Sequence, residues 1–195
     1  KKLIVDEEAA AIVRRRLAAL GKLQAIAGEI YSSITKGSEM LQVRYEQKAN
    51  NSTLLYPQSA EEAAEDFYRE QLSERQRLDI LRGNTGIGPH RDDLQLLLNG
   101  LSLRAFGSQG QQRTAALSLK LSEIELVKEV IKDTPILLLD DVLSELDKHR
   151  QNYLLDSIHD IQTVITCTGL DEFVNHRFSI NKIFRVSSGS VTKEN

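Results

Sequence analysis

The chain has 195 residues, 41% hydrophobic and 27% charged, with 11 Gly, 3 Pro and a net charge of −3. That length and composition suit one domain, or a domain with a small lobe, and exclude a disordered, collagen-like or uniformly coiled-coil chain. The longest apolar run, residues 9–13, falls far short of the roughly 20 residues a membrane helix needs, and the slight acidity confines any nucleic-acid binding to a local basic patch.

The chain opens Lys1-Lys2-Leu3 with no Met and no signal peptide, so we expect a longer protein to continue upstream. Residues 6–35 carry a helical pattern in which Leu20, Leu23, Ala27, Ile30 and Ile34 form one apolar stripe, weakened by Gly21 and Gly28. Arg14, Arg15 and Arg16 lie on the same helix and suit either a solvated face or a phosphate contact.

Leu41, Val43 and Tyr45 alternate with polar residues, the period of a half-buried strand. Residues 48–58 are polar, contain Pro57 and read as a loop. Ser59 and Glu62 then make a capping box for a helix carrying Phe67 and Leu72 to Leu81, with Gly83 as its left-handed cap. Residues 94–98 and 101–105 flank Asn99-Gly100, a strong hairpin signal. A helix follows Gly110, with Leu117, Leu121, Ile124 and Ile131 on one face.

Residues 136–139 are an apolar run between Pro135 and two aspartates, which predicts a strand buried on both faces. With a helix over 148–159 and a strand over 163–166, the order implies parallel pairing. Cys167, the sole cysteine, rules out a disulfide within the chain, fits a reducing cytoplasm and reads as a small core side chain at a buried strand end. A terminal hairpin is expected around Ser188-Gly189. The chain divides into four stretches: helical 1–40, a strand and capped helix over 41–83, a region over 84–133 around the Gly110 helix start, and the paired-acid region over 134–195.

Three motifs carry chemistry. Asp140 and Asp141 emerge at the carboxyl end of the apolar strand, where ligands of open α/β sheets bind. Adjacent strand residues point to opposite faces, so one acid suits the water shell of Mg²⁺ and the other an attacking water, although acids also end many buried strands. Ser144-Glu145-Leu146-Asp147 follows, and Ser144 or Asp147 suits an ordinary helix cap as well. Ser108-Gln109-Gly110-Gln111 opens the third helix, whose first-turn amides attract phosphate.

Together the three pieces resemble the signature motif, Walker B strand and D-loop of an ATP-binding-cassette ATPase. Within that superfamily, residues 88–94, 108–114 and 138–147 are similar in wording to the RecF family of bacterial recombination mediators. The resemblance implies an α/β fold: part of a cassette-ATPase lobe, with a parallel-strand core bearing Walker B, plus a helical lobe bearing the signature. It implies that Asp140 organises Mg²⁺ through water and that Asp141 takes the catalytic acid position, where many relatives carry glutamate. Ser108, Gly110 and Gln111 would contact the γ-phosphate of ATP held by the opposite subunit, and Ser144 and Asp147 would form the D-loop there. Thr166 or Thr168 stands where the switch histidine usually follows, and Gln109 replaces a customary glycine.

The chain contains no Gly-x-x-x-x-Gly-Lys-[Ser/Thr] loop, so ATP binding and any weak DNA-dependent hydrolysis are expected only with the missing half. On the resemblance, the full protein is a cytoplasmic, ATP-dependent homodimer. It binds DNA at single-strand to double-strand junctions and helps load recombinase, with RecR and less directly RecO as partners. Arg91, Arg104 and Arg113 are candidate DNA contacts. Two rival classes remain: a nucleotide-independent module that docks a mediator protein or DNA, and a metal-dependent nuclease built on His90-Arg91-Asp92-Asp93.

Overall fold

The computed structural model describes residues 2–48, 53–56, 61–168 and 180–194. The chain forms two compact units, Lys1–Val130 and Ile131–Asn195. No helix among the described residues is long and apolar enough to cross a membrane.

The first unit is built on helix α1 (Lys2–Thr35), which runs unbroken through Gly21 and Gly28. Leu20, Ala27 and Ile34 of the expected stripe are buried and Leu23 and Ile30 half-buried, while Val13, Leu17 and Tyr31 extend it. Strand β1 (Leu41–Lys48) turns Leu41, Val43, Tyr45 and Gln47 inward, which extends the expected alternation by one residue. Thr53–Tyr56 is not loop but strand β2, paired antiparallel with residues 45–48 of β1. Thr-Leu-Leu-Tyr is too short a run to stand out in a polar stretch, and the ladder along β1 supplies what periodicity cannot.

Helix α2 (Glu61–Arg82) ends at Gly83, whose φ of +66° gives the expected left-handed cap. The Ser59 of the anticipated capping box lies outside the described residues. A 3₁₀ turn over Pro89–Arg91 leads into β3 (Asp93–Leu98), which pairs antiparallel with β1 along six residues. Asn99 and Gly100 adopt φ of +49° and +83°, the two left-handed positions of a type I′ turn. The returning strand β4 is only Leu101–Ser102, because the chain then coils into a short helix α3 (Leu103–Phe106). That coil drives Leu103 into the core beside Leu41, Leu98 and Tyr31. The sheet order is β2-β1-β3-β4.

Two buried clusters hold this unit. Val13, Leu17 and Leu20 of α1 meet Val43 and Tyr45 of β1 and Tyr68 and Leu72 of α2. Ala27 and Tyr31 meet Leu41, Leu98, Leu103 and Ala115. Each large apolar side chain so buried contributes about 1.5–3 kcal/mol. Residues 41–43 lie beyond the reach of β2, and Gln24 of α1 takes the partner's place there. Its carboxamide donates to the Leu41 carbonyl (3.0 Å) and accepts from the Val43 amide.

Helix α4 (Gln109–Ile131) buries Leu117 and Leu121 as expected, with Ile124 half-buried. Ile131, predicted on the same face, is 51% exposed; Thr114, Ala115, Ser118 and Ser122 are buried instead, so small residues carry the contact.

In the second unit, β5 (Leu137–Asp140) and β6 (Thr163–Thr166) pair in parallel, with α5 (Lys148–Ser157) between them in sequence. The prediction that β5 is buried on both faces does not hold. Leu138 is 73% exposed and Val164 53%, because the two-stranded sheet has only one face covered. Cys167 is likewise exposed rather than a core side chain, since it follows β6 on that thin sheet. β7 (Ile183–Ser187) and β8 (Ser190–Glu194) form the expected terminal hairpin around Ser188-Gly189.

Candidate functional site

The first unit presents the start of α4. Gly107 precedes it because a Cβ there would fall 2.5 Å from the Leu103 carbonyl oxygen. Ser108 is the cap: its hydroxyl accepts from the Gln111 amide (3.2 Å), and the Gln111 side-chain oxygen accepts from the Ser108 amide (2.8 Å). This reciprocal pair is a capping box with glutamine at its third position. The serine hydroxyl thus has its lone pair engaged, while no acceptor among the described residues takes its proton. No acidic residue occupies the first turn, so the positive end of a 23-residue helix meets solvent beside a hydroxyl able to donate.

Gln111 is itself held. Its side-chain nitrogen donates to Glu39 (2.6 Å), whose other oxygen accepts from the buried Tyr31 hydroxyl (2.8 Å). Tyr31 and Glu39 escaped the sequence reading, because 72 residues separate Glu39 from Gln111 and neither belongs to a motif. Gly110 is half-buried, and its carbonyl accepts from Thr114 (2.7 Å). Arg113 is exposed on the same helix, as is Arg104 on α3.

The second unit presents the acids. Asp140 ends β5 directly opposite Thr166 on β6. The Thr166 hydroxyl donates to Asp140 (2.5 Å) and accepts from the Asp141 amide (3.1 Å), so one side chain orients both acids. Asp141 has a φ of +51°, a left-handed conformation that aspartate tolerates better than most residues with a Cβ. This backbone gives a local reason for aspartate at position 141. Asp140 and Asp141 are both exposed.

Ser144 lies in a 3₁₀ turn (Val142–Glu145) and donates to the Asp141 carbonyl (2.8 Å). Asp147 caps α5, accepting from the His149 and Arg150 amides at 3.0 and 3.1 Å and pairing with the Arg150 guanidinium. Gln151 closes the loop by donating to the carbonyls of Leu143 (2.7 Å) and Leu146 (3.0 Å). The helix-cap reading of Asp147 therefore holds, and the same bonds fix the shape of the 144–147 loop. His149 and His159 are exposed.

The residues of the nuclease reading do not converge. Asp92 accepts from the Tyr45 hydroxyl (2.6 Å) and from that of Tyr68, Asp93 bonds the Leu94 amide, and Arg91 reaches the Gly86 carbonyl (2.7 Å). Among the described residues, no three His, Cys, Asp or Glu side chains gather as a metal site. Burial, followed by the Asp92 carboxylate, pushes the Tyr45 phenol up to about 12, and the same causes push Tyr68 further in that direction. Arg16, one of the three clustered arginines, bonds Tyr45 (3.2 Å) and the Pro89 carbonyl (2.5 Å), a structural role in this unit.

No family model matches the chain. It is 53% identical over 184 residues to the DNA replication and repair protein RecF of Lachnospira eligens, and 48% over 183 residues to that of Lachnoclostridium phytofermentans. Each match covers 94% of this chain and 47% of the relative, so the chain spans about half the length of the curated relatives it matches. A solved structure of the recombination mediator protein RecF with ATP, described as part of the RecFOR pathway, superposes with a TM-score of 0.76 at 32% identity. That match covers all of this chain and 50% of the other. The α/β fold agrees with these relatives, and the chain matches about half of a RecF protein in sequence and in fold.

Proposed function

We propose that the chain supplies the signature helix and the acidic strand of a RecF-type DNA repair and recombination protein, whose ATP is held between two subunits. The observation that carries this reading is the Ser108 cap at the start of α4: a hydroxyl with a proton to give, at the positive end of a long helix, backed by Gln111. Ser108, Gly110 and Gln111 then meet the γ-phosphate of ATP bound mainly by the other subunit. Asp140 has an exposed carboxylate steadied by Thr166, which fits a role in holding the water shell of Mg²⁺; the ion would neutralise phosphate charge there. Asp141 orients the attacking water, and Ser144 and Asp147 shape the loop at the same interface.

ATP acts in this reading as an interface ligand. Each signature cap has differential affinity for the triphosphate over the diphosphate, and hydrolysis releases the dimer through the loss of those contacts. The whole protein binds DNA at single-strand to double-strand junctions in the cytoplasm and helps load recombinase, with RecR and RecO as partners. Arg91, Arg104 and Arg113 are candidate phosphate contacts. The relatives' names and the RecFOR description of the solved structure support this assignment.

Ser108→Arg in the full-length protein tests it. A guanidinium in place of the small cap fills the space meant for phosphate, and ATP-dependent dimerisation, followed by light scattering, should vanish. Dimerisation unchanged by the substitution overturns the reading.

A further inference from the structure

A cleft of about 330 Å³ opens in the first unit between the end of α2 and the turn before β3. Arg75, Arg82, His90 and Arg91 line it, together with Asn84, Thr85 and Gly86, and no carboxylate among the described residues does. Arg75 is the unusual member. Its residue is only 7% exposed, and its Nε has no hydrogen-bond partner among the described residues. Asp79 stands 3.5 Å from Nε and is shared with the Gly86 amide (3.2 Å).

Burying a guanidinium is costly unless its donors and charge are met. Here three arginines line the cleft, and Asp79, the carboxylate beside Arg75, lies outside the lining formed by the described residues. The site is also shaped around the charge. A Cβ on Gly86 would fall onto the Arg75 guanidinium, so glycine lets the planar group lie flat against the chain. Arg91 folds back to the Gly86 carbonyl (2.7 Å), which brings a second guanidinium to the same wall. Arg82 and His90, at the rim, have no partner among the described residues.

We infer that this cleft seats a phosphodiester group of the nucleic-acid backbone, with Arg75 as its buried base and Arg82 and Arg91 as its rim. The proposal rests on the DNA-binding reading given above and deepens it by naming a site. A forked guanidinium matches the paired oxygens of a phosphate. Contacts of this kind give affinity without sequence preference.

The test uses the full-length protein and a fluorescently labelled gapped duplex, with affinity read by anisotropy from 50 to 200 mM salt. Arg82→Ala with Arg91→Ala leaves the buried base in place, and a melting curve reports on the fold. The expected result is roughly tenfold weaker binding for every DNA sequence and a salt slope smaller by about 1–2. Arg75→Lys keeps the charge but loses the fork, and should weaken binding as well. Affinity and slope equal to wild type in the folded double variant overturn the cleft alone. A wild-type protein that does not bind DNA overturns the DNA reading and the cleft with it. Saturable binding of inorganic phosphate that is lost in the variant, with DNA affinity intact, also overturns the proposal and assigns the cleft to a small free anion.

Discussion

Replacing Asp92 by Ala separates a structural carboxylate from a catalytic one. Tyr45 and Tyr68 are 2% and 1% exposed, and both phenols donate to Asp92. A hydrogen bond to a charged acceptor contributes about 1.5–3 kcal/mol, and a buried donor left without an acceptor costs a similar amount. The two bonds share one acceptor, so their values do not add. Arg16 donates to Tyr45 and cannot take up the orphaned phenol proton. The expected loss is therefore about 3 kcal/mol. At roughly 2–4 °C per kcal/mol for a chain of this size, the melting temperature should fall by about 6–12 °C. The measurement is thermal unfolding followed by far-ultraviolet circular dichroism, repeated in a Tyr45→Phe, Tyr68→Phe background. With no phenols to satisfy, the same Asp92 substitution should there cost less than about 1 kcal/mol. A wild-type melting temperature for Asp92→Ala, or an equal loss in both backgrounds, would refute the argument.

Three further outcomes follow from the geometry. Both phenols are held neutral in the fold, and Tyr45 titrates near 12 rather than 10, so its contribution is complete below pH 10 and is lost as pH rises through 12. Two pH units correspond to about 3 kcal/mol, and urea midpoints at pH 8, 10 and 11.5 should decline far more steeply in wild type than in the double Phe variant. Thr166→Val removes the hydroxyl that joins Asp140 to the Asp141 amide; kcat for ATP hydrolysis by the full-length protein should drop about tenfold with KM within twofold, and an unchanged kcat excludes a positioning role. Gly107→Ala forces the Leu103 carbonyl aside and should cost about 1–3 kcal/mol, read as a lower melting temperature; a neutral result contradicts the close approach.

Local signals in the sequence report local structure well. The alternation of Leu41, Val43 and Tyr45, the left-handed positions at Gly83 and Asn99-Gly100, and the parallel pairing around the acidic strand were all legible. Each depends on side-chain period or on a backbone angle that one residue type favours. What stayed hidden joins distant parts of the chain. Tyr68 reaches Asp92 across 24 residues, Tyr45 reaches it across 47, and Gln111 reaches Glu39 across 72. Such pairs are selected by packing, and no window along the chain contains both members. The apolar run before Asp140 misled for a related reason: its hydrophobicity says that a face asks for cover, but not that residues of this chain supply it. The histidine and two acids around Asp92 offered a metal site only as the weaker rival, since consecutive side chains rarely converge on one ion, and the two phenols account for Asp92. The motif residues Ser108, Asp140 and Asp141 were legible as wording, while Thr166 acquires its place only from the register of β5 and β6.

Gln24 has a consequence beyond the core it borders. Among the described residues β2 reaches only as far as Tyr45, and without Gln24 the amide and carbonyl of residues 41–43 would offer a template on which a strand from another molecule could grow. The glutamine side chain fills that row with a donor and an acceptor of its own. A single amide thus guards this stretch of the sheet against templated aggregation.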